Sequence, residues 1–235
     1  MNNIDIEITK IDEALKAHVD KAYLEKAKVL IPSDRLLLGV RVPKIRELSK
    51  HYYQTNKLDF DDVIILLDQL FERQIREEML FGIFLLQKYK KYFSKELFDK
   101  IDNWIEYIEN WEICDQLATV AGEIVSQNNA LFQQLGQWTT SRNFWRRRFV
   151  LATGSSLNHK GRSYVKEVLN LCNSLMRDQA TMVQKAIPWA IREASKKDAA
   201  QAFKFLMKWK TKTKNSIIKA SAEKLTNQMK IDLSN

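Results

Sequence analysis

Apolar residues recur at three- and four-residue intervals along almost the whole chain, and the alternation that marks a strand is nearly absent. That periodicity predicts an all-α fold. Helices are expected at about 43–54, 60–71, 74–91, 95–108, 111–127, 130–139, 144–157, 162–176, 181–197, 199–209 and 215–228, with further helices before residue 30. Ser94, Asn110 and Asn143 stand where N-caps belong, and Pro43 suits the first turn of its helix. Only six glycines and three prolines interrupt 235 residues, with no Gly/Ser- or Pro-rich linker, so residues 1–235 are expected to form one continuous domain.

A weak repeat runs through these helices. Related segments start near Arg76, Trp111, Trp145 and Val183, at a period of 34 to 38 residues, and Leu117-Ala118-Thr119 matches Leu151-Ala152-Thr153 at the offset that relates Trp111 to Trp145. A helix pair repeated at this period describes an α-solenoid, in which each pair buries its apolar face on its neighbours and an extended concave surface is left over. Solenoids serve as protein-binding scaffolds as readily as anything else, so function has to be sought in residues that depart from the repeat.

Charge supplies a first indication of a partner. The net charge of +9 is unevenly spread: +1 over residues 1–100, −6 over 101–140 and +14 over 141–235. Clustered Lys and Arg displace the counterions condensed on nucleic acid, so a basic C-terminal part points to a polyanion, with a solvated lysine-rich surface as the alternative. Cys114 and Cys172 lack metal-ligand spacing and the three histidines are scattered, which gives neither a zinc site nor a disulfide framework. The chain opens with Asp5 and Glu7 where a secretory signal needs a basic segment followed by an apolar run. Its longest apolar stretch, near Met79 to Leu86, is too short for a bilayer. A soluble, monomeric, cytoplasmic protein is expected.

Three places break the repeat. Asp115 occupies the register filled elsewhere by Leu80, Phe149 and Ile187, one helical turn after Trp111, so that indole and carboxylate should share a face. The ordinary explanation is an acid paired with a neighbouring cation. In Asn143-Phe144-Trp145-Arg146-Arg147-Arg148 three cations occupy the first turns of a helix, against its dipole. A docked phosphate would offset that arrangement, and a solvent-facing arginine run explains it equally well. Trp189 follows Pro188 inside a helix, where a proline kink would re-aim the indole, although tryptophan at helical spacing is more often core. Trp104, Trp138 and Trp209 are read as core.

Taken in order, Trp111 and Asp115 in NWEICD, Trp145 and Arg148 in FWRRR, and Trp189 in QKAIPWAIRE resemble the bacterial DNA alkylation repair glycosylases with HEAT-like repeats, the AlkD-like family. The segments LGVRVPKIREL (38–48) and QKYKK (87–91) extend the resemblance over nearly the whole chain. It implies a HEAT-like α-solenoid with a concave basic groove, acting on double-stranded DNA that contains alkylated bases. It also implies excision of cationic N3- or N7-alkylated purines by hydrolysis of the N-glycosidic bond, without extrusion of the base into a pocket. Asp115 would carry the catalytic role, Trp111 and Trp189 would contact the deoxyribose, and Arg148 would hold the backbone beside the lesion. Arg146, Arg147, Trp145 and Lys185 complete the DNA-facing set. Two positions depart from the pattern: Pro188 stands where relatives commonly have glycine, and Leu30 where an aromatic residue occurs in some.

The chemistry is self-consistent. Alkylation of a purine ring nitrogen makes the leaving group cationic, so no strong general acid is needed. What remains is to stabilise an oxocarbenium-like sugar and to position a water, which an ionised carboxylate and aromatic faces can do. No lysine is identifiable as a Schiff-base nucleophile, so a monofunctional glycosylase without metal or organic cofactor is expected. Two other classes compete: a non-catalytic repeat protein that binds unusual DNA structures, and a protein-binding scaffold. Release of free base selects the enzyme, and DNA binding without release selects the first competitor.

Overall fold

The computed structural model describes residues 3–31, 35–56, 58–159 and 161–234. Among them lie fourteen α-helices and no strand. They are α1 (Asn3–Lys16), α2 (Lys21–Leu30), α3 (Val42–Thr55), α4 (Phe60–Arg73), α5 (Arg76–Leu86), α6 (Lys95–Ile105) and α7 (Trp111–Gln127). Then follow α8 (Leu131–Trp138), α9 (Phe144–Leu157), α10 (Val165–Leu175), α11 (Thr181–Ser195), α12 (Ala199–Trp209), α13 (Asn215–Ser221) and α14 (Asn227–Ser234). The expected caps are in place. Ser94 accepts from the Leu97 amide, Asn110 from those of Glu112 and Ile113, and Asn143 from that of Trp145, while Pro43 sits in the first turn of α3. Alternate helices α5, α7, α9, α11 and α13 begin 33 to 37 residues apart, the structural counterpart of the sequence repeat.

The chain divides into two compact units, Met1–Leu117 and Ala118–Asn235, with the division falling inside α7. In the first unit α3 and α4 both pack on α5, and α1 packs on α4. Every residue of α5 is buried, including the charged Arg76, Glu77 and Glu78 that open it. Phe71 stacks on Trp104 with ring centroids 5.3 Å apart, and the Trp104 indole N–H donates to Asp68, so the ring is buried while its polar edge is satisfied. In the second unit α11 lies between α9 and α13, α10 packs on α9 and α11, and α12 packs on α11. Gly122 permits a close approach there: a Cβ at that position would stand 1.9 Å from Ser156 Oγ.

Three details differ from the sequence expectation. The helix expected to run to residue 91 ends at Leu86, because Tyr89 and Tyr92 turn aside to pack on Phe60 and the Tyr89 hydroxyl donates to the Leu58 carbonyl. The helix expected over 215–228 stops at Ser221, passes through a 3₁₀ turn and an extended Leu225, and restarts as α14; the break buries Leu225. Trp209 is not core. It is half-exposed near the end of α12, its indole N–H donates to Asn173, and the Arg177 guanidinium lies over its ring.

Candidate active site and nucleic-acid interface

The first unit carries the start of α7. Its helical turn spacing puts Trp111 and Asp115 on one seam, and both are half-buried. The equivalent positions Leu80, Phe149 and Ile187 are all fully buried. A carboxylate thus replaces core where the helix surface opens.

That stretch of α7 is anchored by charge. Arg76, 1 % exposed, donates through Nε to Glu112 at 2.7 Å and through Nη1 to Glu77 at 2.7 Å and to the Val40 carbonyl. Burial acts to lower the Arg76 pKa, but the facing Glu112 and Glu77 outweigh it and hold the guanidinium above its usual range. Glu77 also accepts from the backbone amides of Leu38, Gly39 and Val40 at 2.9, 3.0 and 3.3 Å. A buried charge is tolerated only with such partners. The network therefore ties the segment before α3, the start of α5 and the first turn of α7 together. Trp111 Nε1 donates to the Leu30 carbonyl at 3.2 Å, which fixes the indole edge. Arg46 of α3 lays its guanidinium 3.9 Å from the Phe84 ring centroid and reaches to 3.5 Å from Gln116 Oε1, beside Asp115. Burial lowers the Arg46 pKa.

In the second unit the cationic run divides its labour. Arg147 clamps Asp178 through Nε and Nη2 and donates through Nη1 to the Ser141 and Arg142 carbonyls. Arg148 is 6 % exposed and donates to the Met182 carbonyl at 2.7 Å. Trp145 is buried, packed on Phe144. Half-buried Arg146 places its guanidinium over Trp138. Arg147 and Arg148 thus each have a protein partner, in the connection before α11 and at the start of α11 respectively. Arg146 and Arg147 are partly exposed, whereas Arg148 is buried.

On α11, Thr181, Lys185 and Trp189 follow one another at four-residue spacing along the open side of the helix, with Lys185 exposed and Trp189 half-buried. The helix continues through Pro188 to Ser195. Among the described residues no cluster of three or more His, Cys, Asp or Glu side chains is placed to hold a metal ion, and no helix is long and apolar enough to cross a membrane. Cys172 is a buried thiol, its pKa pushed up to about 12 by burial.

The fold and these positions define a paired-helix, all-α protein with a carboxylate-and-indole seam. Residues 11–225 match the family of DNA alkylation repair enzymes, and the chain belongs to that family. Solved structures agree in fold. A predicted DNA alkylation repair enzyme from Enterococcus faecalis superposes with a TM-score of 0.77 at 16 % identity, over 89 % of this chain and 98 % of its own. AlkD2 from Streptococcus mutans superposes at 0.61 and 20 % identity, over 87 % and 98 %. The protein smu.31 from Streptococcus mutans superposes at 0.60 and 21 % identity, over 90 % and 100 %. No curated protein sequence matches the chain.

Sequence reasoning passed over Arg76, Glu77, Glu112 and Arg46. A signal was present for the first two: three charges open a helix that is otherwise apolar all round, and such a helix is buried, so its charges must be paired. Nothing in the sequence shows that the partner of Arg76 is Glu112, 36 residues away.

Proposed function

We propose that this protein is a monofunctional DNA glycosylase that hydrolyses the N-glycosidic bond of cationic N3- or N7-alkylated purines in duplex DNA. The observation that carries the reading is Asp115: an acid on the half-open seam of α7, one turn from Trp111, at a register that is fully buried and apolar in α5, α9 and α11. Membership of the DNA alkylation repair enzyme family supports it.

In this reading the C1′–N bond breaks with its electron pair going to the purine, which neutralises the alkylated ring. Asp115 stabilises the positive charge that develops on the sugar and orients a water. That water adds to C1′ and gives up a proton, leaving an abasic site and a free base. Trp111 offers an aromatic face to the developing cation, and Trp189 is assigned the same role. Exposed Lys185 and half-buried Arg146 are assigned to the phosphate backbone, whereas Arg147 and Arg148 hold the start of α9 to Asp178 and to the first turn of α11, and buried Trp145 supports that start from within. We further propose that the helix pairs stack as a HEAT-like solenoid.

The test is incubation of the purified protein with duplex DNA treated with a methylating agent, followed by chromatography of the released bases. N3-methyladenine or N7-methylguanine should appear in solution. DNA binding with no base released at any enzyme concentration would contradict the proposal.

A further inference from the structure

The segment Lys210-Thr211-Lys212-Thr213-Lys214 joins α12 to α13 and has no part in the site described above. It is pinned to the connection between α10 and α11: Thr213 Oγ1 donates to the Met176 carbonyl, and Arg177 Nε donates to the Lys212 carbonyl at 3.3 Å. Between the two connections lies an open hollow of about 430 Å³, lined in part by Arg177, Lys212 and Lys214. Its acidic lining residue, Asp178, is already neutralised by Arg147. Among the described residues no carboxylate pairs with Arg177, Lys212 or Lys214, so the hollow carries uncompensated positive charge.

A second hollow, of about 310 Å³, shares Gln184 and Ile217 with the first and continues past Lys185 to Pro188, the neighbour of Trp189. Lys214 Nζ donates to Gln184 Oε1 at 3.0 Å on the shared wall. Arg192 at the far end is occupied by Glu223 and by the Ala220 carbonyl. The two hollows form one trough beside α11, cationic at its mouth. From Thr181 to Pro188 it follows about 10 Å of helix, and phosphates of one DNA strand recur roughly every 3.4 Å along the duplex axis. Cations spread along an open channel suit a polyanion better than one small anion.

We propose that this trough seats the phosphate backbone of one strand of duplex DNA, with Arg177, Lys212 and Lys214 as cationic contacts beyond Lys185. The proposal rests on the reading of the protein as a DNA-acting enzyme and assigns the surface used. Contacts of this kind are independent of sequence and sensitive to salt.

The experiment compares the full-length double variant Lys212→Gln/Lys214→Gln with Lys204→Gln/Lys208→Gln, which removes the same charge from exposed positions of α12. Affinity for an unmodified duplex is read by fluorescence anisotropy across a salt series. The trough variant should bind about tenfold more weakly, with a log–log salt slope smaller by roughly two, while the α12 variant stays within about twofold of the parent. Equal weakening by both pairs means diffuse attraction only and overturns the proposal. So does unchanged affinity of the trough variant, or failure of the parent to bind duplex DNA. Because the readout is binding, a parent that binds through the trough but releases no base would refute the glycosylase reading and leave this one standing.

Discussion

Arg76 at the start of α5 and Glu112 in the first turn of α7 form an ion pair of which the arginine is almost wholly buried. Glu112 sits between Trp111 and the turn that carries Asp115, so this pair sets where both begin. Replacing Arg76 with Met takes the buried cation from Glu112 and leaves Glu77 with only its three backbone amide donors. Breaking a buried pair from one side costs about 3–5 kcal/mol, and denaturant unfolding of Arg76→Met should show a loss of that order. A midpoint within experimental error of the parent would mean that the network does not anchor α7.

Gly39 takes φ +89° in the segment whose amides feed Glu77, and a Cβ there would meet Leu24 Cβ at 2.7 Å. Gly39→Ala adds both strain and a clash with a neighbouring Cβ. The expected cost is about 1–3 kcal/mol, measurable as a lower melting temperature. An unchanged melting temperature would contradict the tight approach.

Much of this fold is legible in the sequence because helices announce themselves locally: Ser94, Asn110 and Asn143 cap where short-range chemistry says they should. Asp115 was legible for a related reason, since a repeat makes an acid in an apolar register conspicuous. The arginine run was not. The partner that holds Arg147, Asp178, lies 31 positions away. The break after Ser221 was equally hidden, because the apolar pattern of Ile217, Ile218 and Leu225 fits a continuous helix and a helix–turn alike.

Burial pushes the Glu193 carboxyl up, but Lys196 and His159 outweigh it and hold its pKa below the usual range. A depressed folded value means that the stabilisation is complete above the unfolded carboxylate pKa and is lost as pH falls through the folded one. Glu193→Gln should therefore be less stable than the parent at pH 7, and the gap should close as pH falls below the usual carboxylate range. A gap independent of pH in paired unfolding curves would show that the ion pairs contribute nothing.

Half-buried Trp189 should matter more for chemistry than for folding. Trp189→Ala should lower base release at least tenfold while the melting temperature falls by only a few degrees, about 2–4 °C for each kcal/mol of packing lost. Full activity in a protein whose melting temperature has collapsed would make Trp189 a core residue.

In the proposed reaction Asp115 acts on the transition state. Its negative charge repels DNA in the ground state and becomes favourable only as positive charge grows on the deoxyribose. The most direct measurement is single-turnover release of N7-methylguanine from a defined duplex by Asp115→Asn, alongside its affinity for the same duplex. Affinity should equal or exceed that of the parent, with release slowed by roughly two orders of magnitude, the scale of lost electrostatic stabilisation of about 3 kcal/mol. Release at close to the parent rate by a folded Asp115→Asn protein would contradict this role.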